Sequence, residues 1–419
     1  MQKLEVLGGK KLRGQVDISG SKNASLPILA ATILSDEKIS LSNLPRVKDI
    51  ETMLNLLKSI GSNIKRDSKK KSLSITNNKK LKFFAPYNLV KTMRAGILVL
   101  GPMLARFRKA KVSLPGGCSI GTRPIDIHLN CLSKLGVDFK ISNGYVYASA
   151  SNGLVGARIK FPKISVGATE NLIIAASMAK GTSILSNCAI EPEIKDLVNF
   201  LNKIGAKIKW IGKRTVKIFG VKKFKKSKYK IMPDRIEAGT YMIAAAITEG
   251  KILIKGIDPK LIKTEIDLLK KIGVKVFNFK NKLKVIGSND IKNTIIKTAP
   301  YPGFPTDLQA QIMVLLCKAK GLSVIREEIF ENRFMHCGEL NRMGAKIVIK
   351  GSKAYISGNI KLKSAELMAT DLRASVCLIL AALIAKGKST INRIYHLDRG
   401  YESIEKKLRK IGAKIKRKS

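Results

Sequence analysis

The stretch Leu201-Asn202-Lys203-Ile204-Gly205-Ala206-Lys207-Ile208-Lys209-Trp210 joins two local patterns. A leucine and a few polar residues lead to a glycine, which can end a helix in the left-handed conformation of a C-cap. Lysine and apolar residues then alternate, which predicts a strand with one buried face. The same phrase occurs six times along the chain, and its glycine is Gly61, Gly136, Gly205, Gly273, Gly344 and Gly412.

A second phrase interleaves with the first and consists of an Ala-rich helix, a short turn and an extended run. The predicted helices span residues 26–34, 95–105, 171–179, 239–248, 308–319 and 374–385. Ala-rich helices have flat surfaces that can pack deep inside a domain. The chain is therefore predicted to use one unit of about 70 residues, with two helices and several strands, six times.

The 419 residues are too many for one core of ordinary size, and two domains of three units are the natural division. A linker is predicted near residues 231–234, where Pro233 would interrupt a strand. Two domains with few connections can close over a ligand, so the cleft between them is the expected binding site.

The composition is that of a globular protein, with 45% hydrophobic residues. Apolar runs stay below the roughly 18 residues that a membrane span needs, and residues 1–6 lack the apolar core of a signal peptide. We expect a cytoplasmic protein without membrane insertion. The six cysteines form no C-x-x-C pair and the three histidines lie far apart, so neither a metal nor another cofactor is expected.

The formal net charge of +49 has two interpretations. It could attract nucleic acid or an anionic membrane. The lysines are spread over the whole chain, however, and aromatic residues make up only 5%, too few for a base-stacking surface. We favour the interpretation that lysine has accumulated on solvent-exposed faces through a drift in composition, and we expect no specific nucleic-acid partner. The positive electrostatic field would still favour anionic substrates.

Residues 114–124 form a glycine-rich loop that holds one thiol, Cys118, and one guanidinium, Arg123. Nearby cations and backbone N–H groups lower the pKa of a thiol and make it nucleophilic, and a guanidinium suits phosphate or carboxylate. The alternative is an ordinary surface loop with a structural cysteine. Gly387-Lys388-Ser389-Thr390 imitates the end of a P-loop but lacks the earlier glycine, so ATP hydrolysis is not supported.

Other charged residues fall where helices are predicted to begin or strands to end. Lys22 could hold an anion at a helix start, and Asp307 places a carboxylate just before a helix. Asp307 and Asp371 could instead be N-caps, and Arg333, Arg373 and Arg399 could be surface cations. Together, anion sites, a thiol and a carboxylate are consistent with chemistry on a phosphorylated acid.

These strings resemble those of the enolpyruvyl transferases, and the match runs over essentially the whole chain. The most specific are residues 19–24, 86–95, 114–124, 304–307, 330–336 and 398–401. The resemblance implies an α/β fold, a two-domain inside-out α/β barrel with three β-α-β-α-β-β units per domain. It places residues 1–21 and 233–419, with Asp307 and Arg399, in one domain, and residues 22–232, with Cys118, in the other.

The resemblance also implies transfer of the enolpyruvyl group of phosphoenolpyruvate to the 3-hydroxyl of UDP-N-acetylglucosamine, with release of phosphate. This would be the first committed step of peptidoglycan precursor synthesis. The implied catalytic residues are Cys118, Asp307, Lys22 and Arg399. The implied substrate-binding residues are Lys22, Asn23, Arg94, Arg123, Pro124, Ile125, Asp126, Ile127, Lys163, Ile164, Ser165, Val166, Asp307, Ile329, Arg333, Asp371 and Arg373.

Two alternatives stay open. Shikimate 3-phosphate could replace the nucleotide sugar as acceptor, although the Cys118 loop and Lys91-Thr92-Met93-Arg94 argue against it. A basic nucleic-acid-binding protein without activity is the second. The sequence departs from the family mainly in charge, because members usually carry a far more acidic surface.

Overall fold

The computed structural model describes residues 2–67, 72–77, 80–116 and 125–418. The described residues divide into two compact units. The terminal unit contains the residues up to Ser19 and those from Pro233 onwards, and the central unit contains those from Gly20 to Met232. Within the described ranges, the chain passes between the units at Ser19–Gly20 and at Met232–Pro233.

Thirteen α-helices occur in the part of the chain that the structure describes. They are α1 (Lys22–Ala31), α2 (Lys48–Ile60), α3 (Tyr87–Val90), α4 (Leu100–Phe107), α5 (Asp126–Ser133), α6 (Val166–Ala176), α7 (Pro192–Lys203), α8 (Arg235–Ile247), α9 (Lys263–Lys271), α10 (Gln309–Leu316), α11 (His336–Arg342), α12 (Leu372–Ile384) and α13 (Ile404–Lys410).

The strands of the same ranges number twenty-four. They are β1 (Lys3–Leu7), β2 (Arg13–Asp17), β3 (Ile39–Ser42), β4 (Ser62–Asp67), β5 (Ser72–Asn77), β6 (Phe84–Ala85), β7 (Lys109–Ser113), β8 (Asp138–Ser142), β9 (Tyr145–Ser149), β10 (Arg158–Lys160), β11 (Thr182–Ser186), β12 (Lys207–Gly212), β13 (Thr215–Phe219), β14 (Ser227–Lys230), β15 (Lys251–Lys255), β16 (Lys275–Phe279), β17 (Lys282–Ile286), β18 (Ile295–Lys297), β19 (Leu322–Arg326), β20 (Lys346–Lys350), β21 (Lys353–Ser357), β22 (Glu366–Met368), β23 (Lys388–Asn392) and β24 (Lys414–Lys418).

The strands form six four-stranded sheets that share one pattern. In the central unit the orders are β14-β3-β5-β4, β6-β7-β9-β8 and β10-β11-β13-β12, and in the terminal unit they are β2-β15-β17-β16, β18-β19-β21-β20 and β22-β23-β1-β24. In each sheet the first pair is parallel and the other two pairs are antiparallel. The predicted α/β fold with six repeated units, three in each half, is confirmed.

The repeated glycines end helices in the way that the sequence predicts. Gly61 ends α2 with a φ of 115°, and the glycines at the five equivalent positions have φ between 90° and 111°. An L side chain rarely adopts this conformation, so glycine fits there best. In β16, which follows Gly273, Lys275 faces solvent and Val276 faces the core, as the alternating pattern predicts.

The first two strands of the chain belong to the terminal unit. β1 lies between β23 and β24, with Leu4 opposite Ile391, and β2 runs parallel to β15. One sheet thus contains both ends of the described chain, and its strands pair across almost the whole sequence. The periodicity of the sequence alone does not reveal this strand pairing. None of the helices in the described ranges is long and apolar enough to cross a membrane.

Each unit has a core of Ala-rich helices. In the terminal unit every residue of α8 and α10 is buried, and α12 is buried except at its two ends. Gly239 of α8 allows a close approach, because a Cβ there would lie 2.4 Å from Leu308 Cδ1. Apolar residues around the whole circumference place these helices inside the unit.

The prediction of one helix over residues 95–105 is wrong in its first half. Residues Arg94–Val99 form a 3₁₀ helix, and α4 begins at Leu100. The reason is the amide of Asn171, which donates to the Ile97 carbonyl at 3.0 Å and accepts from Gly101 N–H at 2.8 Å. The side chain thus takes both partners of the hydrogen bond that an α-helix would form between these two residues.

Candidate active site

The carboxylate of Asp307 is held by two arginines in the terminal unit. Arg333 Nη2 lies 2.9 Å from Oδ1, and Arg373 Nη2 lies 2.6 Å from Oδ2. The two arginine side chains are 5% and 6% exposed, whereas the Asp307 side chain is 26% exposed. The arginines therefore fix the orientation of a carboxylate that solvent and small molecules can still reach.

The alternative that Asp307 caps a helix is wrong. The cap of the 3₁₀ turn Thr306–Leu308 is Pro305, and no side chain makes a capping hydrogen bond there. Asp371, in contrast, is an N-cap: it accepts from the backbone N–H groups of Arg373 and Ala374 at 2.7 and 3.0 Å. This cap fixes the start of α12 and thereby the backbone that carries Arg373.

A buried hydroxyl connects the helices around this carboxylate. Tyr401 Oη accepts from Arg373 Nη1 at 3.1 Å and from Gln311 Nε2 at 3.3 Å, and it lies 2.9 Å from Thr240 Oγ1. Burial disfavours the charge on Arg373, but the Asp307 carboxylate outweighs this and raises the pKa of Arg373. The guanidinium therefore stays charged, and α8, α10 and α12 share one polar network.

Sequence reasoning did not identify Thr240 and Gln311 as part of this network. The available signal was their position, because each is a polar residue on a helix whose residues are mostly apolar. Gln311 also lies one helical turn after Asp307 and donates to its carbonyl at 2.9 Å. A polar residue in the interior needs a partner, and here the partners are site residues.

His336 opens α11 and is 1% exposed. Burial lowers its pKa to about 4; the Asp371 carboxylate opposes this, and the Arg333 guanidinium adds to it. The imidazole is therefore neutral at physiological pH. In the sequence, His336 ends the family string of residues 330–336 and lies three residues after Arg333.

Two further predicted site residues of the terminal unit lie at the ends of elements. Ile329 is half-buried and follows β19 by three residues. Arg399 is half-buried and ends the 3₁₀ helix Ile394–Arg399. Its neighbour Asp398 accepts from two nitrogens of Arg417, at 2.7 and 2.9 Å, which holds this end of the helix in place.

In the central unit, Lys22 is the first residue of α1. Ser21 caps the helix by accepting from Ala24 N–H at 3.2 Å, and Lys22 Nζ lies 3.2 Å from Asp49 Oδ2. The Asp49 side chain is 6% exposed, so the ammonium group is tethered beside the positive end of the helix. Asn23 follows and is half-buried. This arrangement suits an anion.

The predicted site residues at the starts of α5 and α6 and at Arg94 lie in segments that contact one another. Buried Asn171 of α6 bonds His128 Nδ1 of α5 at 3.0 Å as well as the 3₁₀ helix that begins at half-buried Arg94. A Cβ on Gly167 would lie 3.2 Å from the His128 ring, so glycine permits the two helix starts to meet.

Around these helix starts the predicted residues differ in exposure. Lys163, Val166 and Asp126 are exposed, and Ile164 and Ser165 are half-buried, with Ser165 capping α6 through Ala168 N–H at 3.4 Å. Ile125 and Ile127 are buried, so their side chains belong to the core. Cys118, Arg123 and Pro124 lie outside the described residues.

Comparisons with known proteins show the family to which the chain belongs. The family model of EPSP synthase (3-phosphoshikimate 1-carboxyvinyltransferase) matches residues 6–408. The chain is 72% identical to a UDP-N-acetylglucosamine 1-carboxyvinyltransferase of Pelagibacter ubique over the whole of both chains. It is 52% identical to the protein of that name from Geotalea uraniireducens, covering 100% of this chain and 99% of the relative.

Two solved structures share the fold. One is the enolpyruvyl transferase NikO from Streptomyces tendae, with a TM-score of 0.91 at 24% identity over 99% of this chain and 98% of that chain. The other is EPSP synthase from Acinetobacter baumannii, with a TM-score of 0.78 at 16% identity over the whole of both chains.

Proposed function

Because the chain belongs to the enolpyruvyl transferase family, we propose that it is a UDP-N-acetylglucosamine 1-carboxyvinyltransferase. It transfers the enolpyruvyl group of phosphoenolpyruvate to the 3-hydroxyl of UDP-N-acetylglucosamine and releases phosphate. The observation that carries this proposal is the 72% identity, over the whole of both chains, to a relative of that name. Identity to the solved EPSP synthase of Acinetobacter baumannii is 16%, which makes shikimate 3-phosphate the less supported acceptor.

In the proposed mechanism, Lys22, Arg123 and Arg399 bind the phosphate and carboxylate of phosphoenolpyruvate. The position of Lys22 at the N-terminus of α1 supports this role, because the helix dipole adds to the attraction for an anion. The nucleotide sugar is assigned to Asn23, Arg94, Arg123–Ile127, Lys163–Val166, Asp307 and Ile329. The contacts of Asn171, which join three of these segments, support a common role for them.

The chemical step begins with a proton added to the methylene carbon of phosphoenolpyruvate. C2 then becomes a cationic centre, which the sugar 3-hydroxyl attacks as its proton passes to Asp307. The hydroxyl becomes acidic as its oxygen bonds to C2, so a carboxylate that two guanidiniums hold in place can accept its proton. Phosphate leaves C2, and one proton of the newly formed methyl group returns to the group that donated the first proton, which restores the enol ether. The cations stabilise the charge of the departing phosphate.

Cys118 is the proposed donor of the carbon proton, and its thiolate can also add to C2 to form a covalent pyruvate adduct. Arg333, Asp371 and Arg373 are assigned to substrate binding and to holding Asp307. The two units are proposed to be the functional domains predicted above, residues 1–21 plus 233–419 and residues 22–232. The product is a precursor of peptidoglycan, so we place the enzyme in the cytoplasm, in cell-wall synthesis and thereby in cell shape and division.

The test is phosphate release from phosphoenolpyruvate by the purified protein. We expect release that requires UDP-N-acetylglucosamine and does not occur with shikimate 3-phosphate. Activity with shikimate 3-phosphate alone would support the alternative acceptor. No release with either acceptor, together with steeply salt-dependent DNA binding, would support a nucleic-acid-binding protein.

A further inference from the structure

We propose that Glu327 is a positioning residue that fixes the positions of Asp307 and Ile329 relative to each other. This inference rests on the proposed function, in which Asp307 accepts the proton and Ile329 contacts the nucleotide sugar. The two residues lie far apart in sequence, and Glu327 forms hydrogen bonds at both places. It was not among the residues that the sequence pointed to.

Glu327 lies where two parallel strands end. β18 and β19 run side by side with Lys297 opposite Arg326, so Thr298 and Glu327 follow at the same edge of their sheet. The Glu327 backbone N–H donates to the Ser352 carbonyl at 2.9 Å. Glu327 is 3% exposed and Thr298 is fully buried. The backbone that carries the Glu327 carboxylate is therefore buried and held by a hydrogen bond.

One oxygen of this carboxylate organises the loop that contains Ile329. Oε1 accepts from Thr298 Oγ1 at 3.0 Å, from Ile329 N–H at 2.9 Å and from Phe330 N–H at 3.2 Å. Thr298 Oγ1 in turn accepts from Glu328 N–H at 2.9 Å. Three successive backbone N–H groups are thus fixed by one carboxylate and one hydroxyl, which sets the course of the chain at Ile329.

The second oxygen reaches the turn that carries Asp307. Oε2 accepts from Thr306 Oγ1 at 2.9 Å, and Thr306 directly precedes Asp307 at the start of the 3₁₀ turn. The arginines hold the Asp307 carboxylate, and Glu327 holds the side chain of the residue that precedes Asp307. Misplacement of reacting groups by about 1 Å can reduce turnover about a hundredfold, so this anchor matters for rate.

The contacts of Glu327 form two sets, which substitutions can separate. One arm is the set that Oε1 makes with the loop of Ile329, and the other arm is the contact of Oε2 with Thr306. Glu327→Ala removes both arms, Thr306→Val removes only the arm to Asp307, and Glu327→Gln keeps an acceptor oxygen for the loop and a polar group for Thr306. Glu328→Ala is the matched control, because Glu328 is the adjacent residue and forms an exposed ion pair with Lys297.

Steady-state kinetics with each substrate varied in turn, together with calorimetric binding of UDP-N-acetylglucosamine, tests the assignment. For Glu327→Ala we expect KM and Kd for UDP-N-acetylglucosamine to rise about tenfold or more and kcat to fall about tenfold to a hundredfold. Thr306→Val lowers kcat but leaves the KM for the nucleotide sugar within about twofold. In both variants the KM for phosphoenolpyruvate stays near the wild-type value, and Glu327→Gln and Glu328→Ala stay close to wild type in all constants.

A merely structural role would lower kcat in proportion to the unfolded fraction and leave every KM unchanged. That result for Glu327→Ala would overturn the proposal. If Glu327→Ala does not fold, normal kcat in Thr306→Val overturns the link to Asp307. A wild-type protein without nucleotide-sugar-dependent phosphate release contradicts the proposed function itself, whereas an active wild type with unaffected variants contradicts only the role of Glu327.

Discussion

Arg373 Nη2 lies 2.6 Å from Asp307 Oδ2, although 66 residues separate the two in the chain. The guanidinium is buried and its second nitrogen bonds Tyr401, so it cannot turn away from the carboxylate without losing both contacts. Arg333 binds the other oxygen, so the two arginines hold the carboxylate in one orientation. A fixed, partly exposed carboxylate is what proton transfer from a bound hydroxyl requires.

Replacing Asp307 by Ala should leave binding of UDP-N-acetylglucosamine measurable and reduce kcat about a hundredfold to ten-thousandfold. It should also lower the free energy of unfolding, since two largely buried arginines lose their partner. Calorimetric binding, kinetics and urea unfolding measure the three quantities. Asp267→Ala, which removes an exposed pair with Lys263, is the control. Near-normal turnover in Asp307→Ala refutes the base assignment.

Replacing Cys118 by Ala should abolish adduct formation and markedly reduce turnover. We also expect a thiol-alkylating reagent to modify one cysteine of the folded wild type and none of the variant. The five cysteines of the described ranges are all buried, and burial raises the pKa of each, to about 12 for Cys188, Cys317 and Cys337. Mass spectrometry detects both the adduct and the alkylated cysteine, and steady-state kinetics measures turnover. Unchanged activity of Cys118→Ala removes the thiol from the mechanism.

Replacing Tyr401 by Phe removes a hydroxyl that Arg373, Gln311 and Thr240 share. We expect the free energy of unfolding to fall by about 1–3 kcal/mol, because buried donors lose their acceptor, and kcat to fall as Arg373 loosens. Urea unfolding and kinetics provide the measurements. Tyr395→Phe, at an exposed tyrosine of the preceding turn, should change neither quantity. Equal effects of the two substitutions would contradict the network.

His336 should make stability depend on pH between about 4 and 6.5. Its pKa is lowered to about 4 in the folded protein, so below pH 6.5 the unfolded chain binds a proton that the folded protein does not. The free energy of unfolding therefore falls as pH decreases through this window, by up to about 3 kcal/mol from this group, and the fall ends below pH 4.

Urea unfolding at a series of pH values, for wild type and His336→Gln, isolates this contribution. The variant carries no titrating group at this position, so its stability should vary less with pH between 4 and 6.5, whatever its stability at pH 7. Identical pH profiles would show that His336 is protonated alike in the folded and unfolded states.

Much of the fold could be predicted from local patterns. The six glycine C-caps and the Ala-rich helices depend on residues within one or two turns. The structure has the glycines after helix ends and helices that overlap the predicted ranges, with ends that differ from the predicted ones. The helix predicted for residues 95–105 failed in its first half because Asn171, which is 70 residues from Gly101 and 74 from Ile97, occupies the hydrogen-bonding groups of both. A side chain so distant leaves no trace in a local pattern.

The candidate site divides in the same way. The strings around Lys22, Asp307 and Arg373 could be recognised because each occupies consecutive positions. The sequence left open whether Asp307 and Asp371 were caps, and only the structure separated them: Asp371 caps α12, while Asp307 binds two arginines. Asp49, Glu327 and Gln311 carry no motif, and their roles follow from their neighbours in space.

The sequence by itself determined the repeated unit, its helix ends and the family, because these depend on residues that are adjacent or regularly spaced. Only the tertiary structure decided that β1 pairs with the last strand, that Asn171 interrupts a helix and that Arg373 bonds both Asp307 and Tyr401. The physical reason is that burial and hydrogen bonding between distant residues depend on how whole elements pack, and no short segment contains that information.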